Sequence, residues 1–396
     1  MSSPVPAPAA VRLGVVGIGN MGATHIASIL AGKVTRCQLA AVCDGDIERT
    51  KRFPQAKGFS DAKAMIASGV IDAILIATPH FDHTVTGCAA LAAGLHVLVE
   101  KPLSVHKADC EQLISAYAAR PRTEQVFAAM FNQRTDPHYA KLRELIMTGE
   151  LGEVRRVNWI VTDWFRSEAY YASSGWRATW KGEGGGVLIN QCPHNLDLLQ
   201  WLFGMPTSVR AFCQFGKWHD IETEDAVTAY LEFANGATGV FVTSTGETPG
   251  TNRLEITAER GRVVLENGKL TWTRNVVPMG EFSRTTSESF GRPEVWNVEV
   301  PIASSGGQHN EIMQNFIDAV LDGKPLIAPA VEGIHSVELA NSFVHSSVTG
   351  TTVRLPLDAK AYAATLAGLI AANKDRVKKV SAVKASAADF ARSHGT

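Results

Sequence analysis

The sequence has no apolar run long enough to cross a membrane and no excess of charge of either sign. A membrane-spanning helix needs about 20 mostly apolar residues. The 38 lysines and arginines nearly balance the 39 aspartates and glutamates, so a net charge of −1 gives no general attraction for nucleic acid or anionic lipid. We therefore predict neither a nucleic-acid partner nor a membrane association.

Cysteine is scarce and scattered, with six residues in a chain of 396 and no C-x-x-C pair. Buried free thiols in a reducing compartment are the simplest interpretation. The first ten residues, MSSPVPAPAA, lack the basic segment and the apolar segment of a secretion signal. These absences predict a cytoplasmic protein that begins with a flexible leader.

The stretch VRLGVVGIGNMG, residues 11–22, is an apolar strand that runs into glycines with G-x-G-x-x-G spacing. Gly17 allows a tight turn after the strand, Gly19 lets a pyrophosphate approach the backbone, and Gly22 lets the next helix pack closely. A structural turn with incidental glycines is the alternative. We predict that the turn binds a dinucleotide through Gly17, Ile18, Gly19, Asn20 and Met21.

A second apolar strand ends on Asp44, 22 residues after Gly22. A carboxylate at this place accepts hydrogen bonds from the ribose hydroxyls of NAD and repels the 2′-phosphate of NADP. The sequence therefore predicts NAD as the cofactor, with NADP less favoured, although Arg49 and Lys51 follow closely.

Apolar strands alternate with helical segments up to about Met130, which predicts a parallel sheet covered on both faces. After Asn132, strands are separated by turns such as Asn235-Gly236 and Asn267-Gly268, which predicts an antiparallel sheet. We predict three regions: an α/β Rossmann domain at 11–131, an α+β substrate and oligomerisation domain with a large, mostly antiparallel open sheet at 132–355, and a partly helical tail at 356–396. An open sheet needs cover on one face, so we expect a homodimer or homotetramer through it.

Residues 187–203 are predicted to form one helix, which Pro193 must kink or start, and residues 275–293 a polar loop. Three glycines, Gly184–Gly186, precede the helix and are interpreted as letting backbone approach a ligand. Asn190 and His194 are spaced to share one face of it.

Ligands of parallel sheets bind at the carboxyl ends of the strands, so the polar residues that follow each strand are the candidates. Beside the glycine turn and Asp44, the predicted cofactor contacts are Thr78, Pro79, His80, His83, Glu100, Lys101 and, from the second domain, Arg177. Because no cysteine or carboxylate cluster completes a ligand shell around the two histidines, we predict no metal.

Six of the eight tryptophans lie between Trp159 and Trp218. Flat apolar faces beside polar groups suit the C–H faces of sugar-like rings. The predicted substrate contacts are Lys101, Asn132, Arg134, Trp164, Trp176, Asn190 and His194.

Together these motifs resemble the glucose–fructose oxidoreductase, inositol dehydrogenase and MocA family. The resemblance covers nearly the whole chain through GIGNMG-A-T-H, ATPHFDH, EKP, GGG…H-x-x-D, ENGKL and QHNEIMQNFIDAVLDGKP. It implies a Rossmann domain, a second α+β domain and NAD(P)-dependent oxidation of a sugar or cyclic polyol, with Lys101 and His194 catalytic. Members of the family often carry Asp where this chain has Asn190, so the charge for an Asp–His proton relay is missing, and inositol specificity does not carry over simply.

The leading hypothesis is hydride transfer between a secondary alcohol of a carbohydrate or cyclitol and nicotinamide. His194 is the predicted general base, and Lys101 is predicted to stabilise charge on the reacting oxygen and to share the base role. Two alternatives stay open: a redox-assisted lyase or glycosidase that uses bound NAD transiently, and a non-catalytic dinucleotide-sensing regulator.

Overall fold

The computed structural model describes residues 10–302 and 305–381. Nearly all of the predicted leader and the last part of the predicted tail, residues 382–396, lie outside these ranges. No helix in the described ranges is both long enough and apolar enough to span a membrane.

The described strands form two sheets. The strands are β1 (Val11–Val16), β2 (Cys37–Cys43), β3 (Lys57–Phe59), β4 (Ala73–Ile76), β5 (His96–Val99), β6 (Phe127–Ala129), β7 (Val154–Val161), β8 (Ser208–Phe215), β9 (Glu224–Glu232), β10 (Thr238–Ser244), β11 (Asn252–Ala258), β12 (Gly261–Glu266), β13 (Lys269–Asn275), β14 (Val295–Val300) and β15 (Val353–Arg354).

The described chain also forms thirteen α-helices. They are α1 (Asn20–Leu30), α2 (Ile47–Thr50), α3 (Ala62–Ala67), α4 (His80–Ala92), α5 (Lys107–Ala118), α6 (Pro137–Met147), α7 (Glu168–Tyr171), α8 (Val187–Asn190), α9 (Pro193–Phe203), α10 (Met279–Thr285), α11 (Gln308–Asp322), α12 (Gly333–Thr349) and α13 (Ala359–Ala372).

The first sheet is parallel and has the strand order β3-β2-β1-β4-β5-β6. Val16, the last residue of β1, pairs with Cys43 on one side and Ile76 on the other, so three carboxyl ends meet at one edge. Every residue of β4 and β5 is buried, as expected for strands covered on both faces. This confirms the predicted Rossmann-like sheet. The short edge strand β3 was not predicted.

The second sheet has nine strands in the order β14-β13-β12-β11-β7-β10-β9-β8-β15. The turn Asn267-Gly268 has positive φ at both residues, as a tight hairpin between β12 and β13 requires. All strand pairs are antiparallel except that of β7 and β10, which is parallel. The mostly antiparallel sheet is confirmed.

One face of the second sheet packs against α12, and α9 shares the same hydrophobic core, whereas the other face carries large exposed side chains. Strand register places Ile160, Phe212, Tyr230 and Val240 on this second face. The sheet is therefore open on one side.

The structure decides between two local outcomes and overturns one local prediction. Residues 187–203 are largely helical, as expected, and Pro193, which has no N–H, begins the separate helix α9 after α8 has ended. The expected polar loop at 275–293 contains α10, whose residues are all at least partly exposed.

The chain returns to the first sheet after leaving it. Ile312, Met313, Phe316 and Ile317 of α11 lie in the same hydrophobic core as β1, β4 and β5. A β-bridge joins Ala128 to Pro329. The two sheets are therefore joined by a crossing at residues 130–137 and by this return.

Candidate active site

The turn after β1 has room for a ligand at one glycine. Gly17 has φ +88°, and a Cβ there would lie 2.5 Å from the carbonyl oxygen of Ala77. A Cβ on Gly22 would overlap the carbonyl oxygen of Gly17. No described atom lies within 4 Å of a Cβ built on Gly19, which directly precedes the first turn of α1. Open space beside unpaired helix N–H groups fits a pyrophosphate.

Asp44 directly follows the last residue of the neighbouring strand, β2. Its carboxylate accepts hydrogen bonds from the N–H of Ile18 at 2.8 Å and of Asp46 at 3.0 Å. Arg49 lies 3.4 Å from the same carboxylate, which partly balances its charge. The acid is thus fixed at the glycine turn, where the ribose next to a pyrophosphate would lie.

Thr78 and Pro79 join β4 to α4 at this edge, and the histidines of α4 face backbone oxygens. The ring nitrogens of His83 lie 2.9 Å from the carbonyl oxygen of Pro102 and 3.0 Å from that of Thr78. His80 Nδ1 is 3.3 Å from the carbonyl oxygen of Glu183. Burial lowers the pKa of both imidazoles, which favours their neutral forms.

Glu100 follows β5 and is paired with His25, a residue to which the sequence motif gave no role. His25 Nε2 lies 2.6 Å from Glu100 Oε1, and both side chains are buried. Burial raises the pKa of the Glu100 carboxyl, but the hydrogen bond and charge of His25 outweigh burial and lower this pKa to about 2. Glu100 also accepts the N–H of Lys101 at 3.1 Å, which fixes the backbone from which the lysine side chain departs.

Lys101 reaches from the first sheet to the second half of the molecule. Its Nζ donates a hydrogen bond of 3.0 Å to the carbonyl oxygen of Asn190, the last residue of α8. Burial lowers the pKa of the Lys101 ammonium, and the charges of Glu100 and Glu183 oppose this effect. The bond shows that one strand end and one helix end meet in a common cleft.

His194 is the second residue of α9 and is buried. The edge of its ring lies against Phe131, with 6.4 Å between ring centroids. Because the helix is interrupted after Asn190, the asparagine and the histidine belong to different helices instead of sharing one regular face.

The side chain of Asn190 joins a polar cluster that was not predicted. Its amide donates to Glu183 and accepts from Tyr170 Oη at 3.3 Å. Arg177 donates to the same tyrosine oxygen at 2.6 Å. A charged residue directly before three glycines is a signal that could have indicated Glu183, whereas nothing in the local sequence indicated Tyr170.

The predicted tryptophans border this cluster. Trp176 lies edge-on to His80, with 6.1 Å between ring centroids. Arg177 lies over its indole at 4.9 Å from the ring centroid. Trp164 Nε1 donates to Asn195 Oδ1 at 3.2 Å. These contacts leave both indoles half-buried near the cleft.

Arg134 has a structural position that its predicted substrate role did not anticipate. Its guanidinium is 1% exposed and makes two hydrogen bonds to Asp197, of 2.6 and 2.7 Å. It also donates to Glu332 at 2.5 Å and to the carbonyl oxygen of Ile327 at 3.2 Å. Because protein groups already engage this fork, Arg134 clamps α9 to the segment that returns to the first sheet, and its contact with a substrate stays a prediction.

Asn132, the other residue predicted after the last Rossmann strand, faces α11. Its Nδ2 donates to Gln308 Oε1 at 2.7 Å, and the residue is 7% exposed.

The interpretation of Gly184–Gly186 as letting backbone approach a ligand was wrong. A Cβ on any of the three would collide with protein atoms, of Val105, Ile189 and Glu224 respectively.

Comparison with known families decides the relationship of this chain. The oxidoreductase family with an NAD-binding Rossmann fold matches residues 11–128, and the GFO/IDH/MocA C-terminal domain matches residues 139–264. The chain belongs to the GFO/IDH/MocA oxidoreductase family. Its first sheet is thus an NAD-binding Rossmann fold, as predicted, and strands β7 to β11 of the second sheet lie within the match to the C-terminal domain of that family.

Sequence relatives of this family member include enzymes named for cyclic substrates. A 1-carboxy-3-chloro-3,4-dihydroxycyclohexa-1,5-diene dehydrogenase of Comamonas testosteroni is 30% identical over 57% of this chain and 56% of the relative. The match to an uncharacterized oxidoreductase of Escherichia coli likewise spans only 55% of that relative. The inositol 2-dehydrogenase of Pseudarthrobacter chlorophenolicus is 27% identical over 88% of this chain and 97% of the relative.

Solved structures share the fold over most of this chain. The WlbA dehydrogenase from Chromobacterium violaceum, solved with NADH and UDP-GlcNAcA, has a TM-score of 0.76 and 25% identity over 90% of this chain and 100% of that chain. Levoglucosan dehydrogenase with NADH has a TM-score of 0.71 at 20% identity over 88% and 100% of the two chains, which shows the fold alone.

Proposed function

We propose that this protein is an NAD-dependent dehydrogenase that interconverts a secondary alcohol of a sugar, a sugar derivative or a cyclic polyol with the corresponding ketone. The observation that carries the proposal is the hydrogen bond between Lys101 Nζ and the carbonyl oxygen of Asn190. This bond holds the Lys101 side chain between the carboxyl end of β5 and the end of α8. The names of the inositol dehydrogenase relatives and the NADH complex of WlbA support the same reaction class.

The glycine turn and Asp44 would hold the cofactor. Gly19 has open space for the pyrophosphate, and Asp44 is fixed where it would accept the ribose hydroxyls. When bound, NAD supplies the chemistry of accepting or returning a hydride. The carboxylate of Asp44 favours NAD over NADP, although Arg49 at 3.4 Å weakens the preference.

Lys101 and His194 would act on the substrate oxygen. An ammonium has three N–H donors, and Lys101 uses one for Asn190, so the others can bind the oxygen and stabilise its developing negative charge. His194 would take the hydroxyl proton, since an imidazole titrates near neutral pH. Trp164 and Trp176 would contact the C–H faces of the ring, and Asn190 would orient it.

The open face of the nine-stranded sheet would be covered by a second copy of the chain, as a homodimer or homotetramer. Its exposed Ile160, Phe212, Tyr230 and Val240 support this part of the proposal. The free cysteines, of which four are buried, are consistent with work in the reducing cytoplasm. Light scattering on a sizing column would give the mass, and a monomer at micromolar concentration would contradict the assembly.

The activity is tested by incubating the purified protein with NAD⁺ and a panel of cyclitols, aldoses, sugar acids and glycosides, with NADH measured by absorbance. We expect NADH from at least one panel member, and none from the Lys101→Met variant. Lys33→Met, which removes an exposed lysine, is the matched control and should keep full activity. Cleavage of a glycoside without NADH would favour the redox-assisted lyase or glycosidase, and nucleotide binding without turnover would favour the regulator.

A further inference from the structure

Glu183 is a buried carboxylate that the proposed reaction does not use directly. Its side chain is 1% exposed and lies in the segment between α7 and α8. Oε2 accepts a hydrogen bond of 2.5 Å from the N–H of Ala178, and Oε1 accepts one from the amide of Asn190. Arg177 Nη1 lies 3.8 Å from Oε1, so the carboxylate has a cation beside it without a close bidentate pair.

Asn190 transmits the position of this carboxylate to Lys101. Both ends of its amide are held, since Nδ2 donates to Glu183 and Oδ1 accepts from Tyr170 at 3.3 Å and from Gln191 at 3.0 Å. Its main-chain oxygen is the acceptor for Lys101 Nζ at 3.0 Å. A rotation of the Asn190 side chain would therefore disturb the residue that holds the lysine in the cleft.

The charges around the two groups favour coupling between them. Buried charges interact more strongly than exposed ones because less solvent screens them. Around Lys101 the structure places Glu100, Glu183, Arg166, Arg177, His80 and Cys192, and around Glu183 it places Arg177, Lys101, Lys378, Tyr171 and Glu224. Two of the residues around Lys101 are carboxylates, and His25 already pairs with one of these, Glu100.

We infer that Glu183 is a positioning residue: through the amide of Asn190 it fixes the carbonyl that binds Lys101, and its negative charge favours the ammonium form of that lysine. The catalytic part of this inference rests on the proposed dehydrogenase function, whereas the effect on Lys101 itself does not.

The expected consequence has a definite sign. Replacing Glu183 by Gln removes a negative charge near Lys101, so the ammonium becomes less favourable and the amine loses its proton at lower pH. Any limb of a pH–rate profile that Lys101 controls should move to lower pH. Because the cluster also positions Lys101, kcat should fall about ten-fold or more while the KM for NAD stays nearly constant.

The test uses Glu183→Gln, Asn190→Asp and the double variant that exchanges the two groups. Asn190→Asp alone places two carboxylates together, so we expect a lower melting temperature and reduced kcat. The double variant restores one carboxylate and one amide to the same contact, and its kcat should recover to within about three-fold of the natural protein. Glu222→Gln is the matched control, since Glu222 accepts the N–H of Trp180 in the same segment at 3.1 Å. It should change neither kcat nor the pH profile.

The protonation of Lys101 is read without substrate, by competitive acetylation at a series of pH values and mass spectrometry of its peptide. A midpoint in Glu183→Gln equal to that of the natural protein, with an unchanged melting temperature, would overturn the inference, as would a double variant no better than the worse single one. If Glu183→Gln does not fold, the Asn190→Ala variant replaces it as the test. This variant removes the hydrogen bond between residue 190 and Glu183 but keeps the negative charge of Glu183. The value of kcat should therefore fall, while the acetylation midpoint of Lys101 stays the same. An unchanged kcat there would overturn the positioning role. Lack of turnover by the natural protein on every panel substrate would instead contradict the proposed function.

Discussion

Two glycine-rich turns flank Lys101, and they differ in what surrounds them. In the turn at residues 17–22, Gly19 faces open space while its neighbours pack against backbone. In the turn at residues 184–186, all three glycines are enclosed by protein, and Gly184 has φ +84°. Both turns lead into a helix that helps to form the cleft.

The difference shows that a cluster of glycines indicates close contact with the backbone, but the sequence does not tell whether a ligand or another part of the protein makes that contact. At the first turn the space is left for a ligand, and at the second it is filled by Val105, Ile189 and the backbone of Glu224. The second turn is also held by a buried carboxylate, because Glu224 Oε1 accepts the N–H of Gly186 at 2.8 Å and of Leu188 at 3.1 Å. The first turn is therefore expected to govern binding and the second to govern stability.

The largest effect is expected at the residue between the two turns. Lys101→Met should lower kcat about 1,000-fold or more, because the reacting oxygen loses its charged donor. The dissociation constant for NAD, measured by titration calorimetry, should change by less than about three-fold, since the glycine turn is untouched. Loss of NAD binding in this variant would show that the lysine belongs to the cofactor site instead.

Gly186→Ala tests whether the second glycine turn governs the stability of the fold. The new Cβ would overlap the carbonyl oxygen of Glu224, which is backbone in β9 and cannot rotate away. We expect a loss of about 3 kcal/mol or more in the free energy of unfolding, measured by urea denaturation. Gly368→Ala, in α13 with open space around it, is the control and should be neutral or slightly stabilising.

Glu224 gives the stability of the second turn a dependence on pH. Burial raises the pKa of its carboxyl to about 7, above its value in an unfolded chain, so the folded state holds the proton more tightly. Its contribution to stability is therefore lost as the pH rises from about 4.5 to about 7, by roughly 3 kcal/mol at most. Glu224→Gln keeps an oxygen acceptor, so the variant should gain stability relative to the natural protein across this interval. Urea denaturation of both proteins at pH 5 and at pH 8 measures this gain. If the difference in the free energy of unfolding between the two proteins is the same at both pH values, the assignment is contradicted.

Gly19→Ala makes the converse test at the first turn. The methyl group has room in the unliganded protein, so the melting temperature without NAD should be unchanged within about 2 °C. The same methyl group would occupy the space left for the pyrophosphate, so the affinity for NAD should fall about ten-fold. An unchanged affinity would mean that the nucleotide lies elsewhere.

The smallest effect is expected at Asp44. Replacing it by Ser removes the charge that disfavours a 2′-phosphate and leaves Arg49 available to bind one. The ratio of kcat/KM for NAD⁺ to that for NADP⁺ should fall about five-fold. Preference of the natural protein for NADP⁺ would show that Arg49 outweighs the acid.

The features that could be predicted from the sequence are those that depend on residues close together in the chain. The glycine turn, Asp44 and the hairpin at Asn267-Gly268 were predicted because each follows from residues adjacent in the chain. For residues 187–203 the sequence left two outcomes open, since a proline at such a place can kink a helix or begin one, and the structure shows that Pro193 begins α9.

Side-chain pairing across long separations could not be predicted. Arg134 contacts Asp197 and Glu332, residues 63 and 198 positions away in the chain, so these ion pairs are a product of the fold. The contact of Glu183 with Asn190 spans only seven residues, yet it depends on the conformation of the irregular segment between α7 and α8.

The sequence by itself determined the Rossmann sheet, the glycine turn with its acidic neighbour, and the mostly antiparallel character of the second sheet, because backbone conformation and period-two burial are written locally. Only the tertiary structure decided that β7 lies beside β10 in parallel, that the second set of glycines faces protein, and that Lys101 meets the end of α8. These outcomes depend on which elements, far apart in the chain, pack against each other and bury their apolar surfaces. No short stretch of sequence specifies that packing.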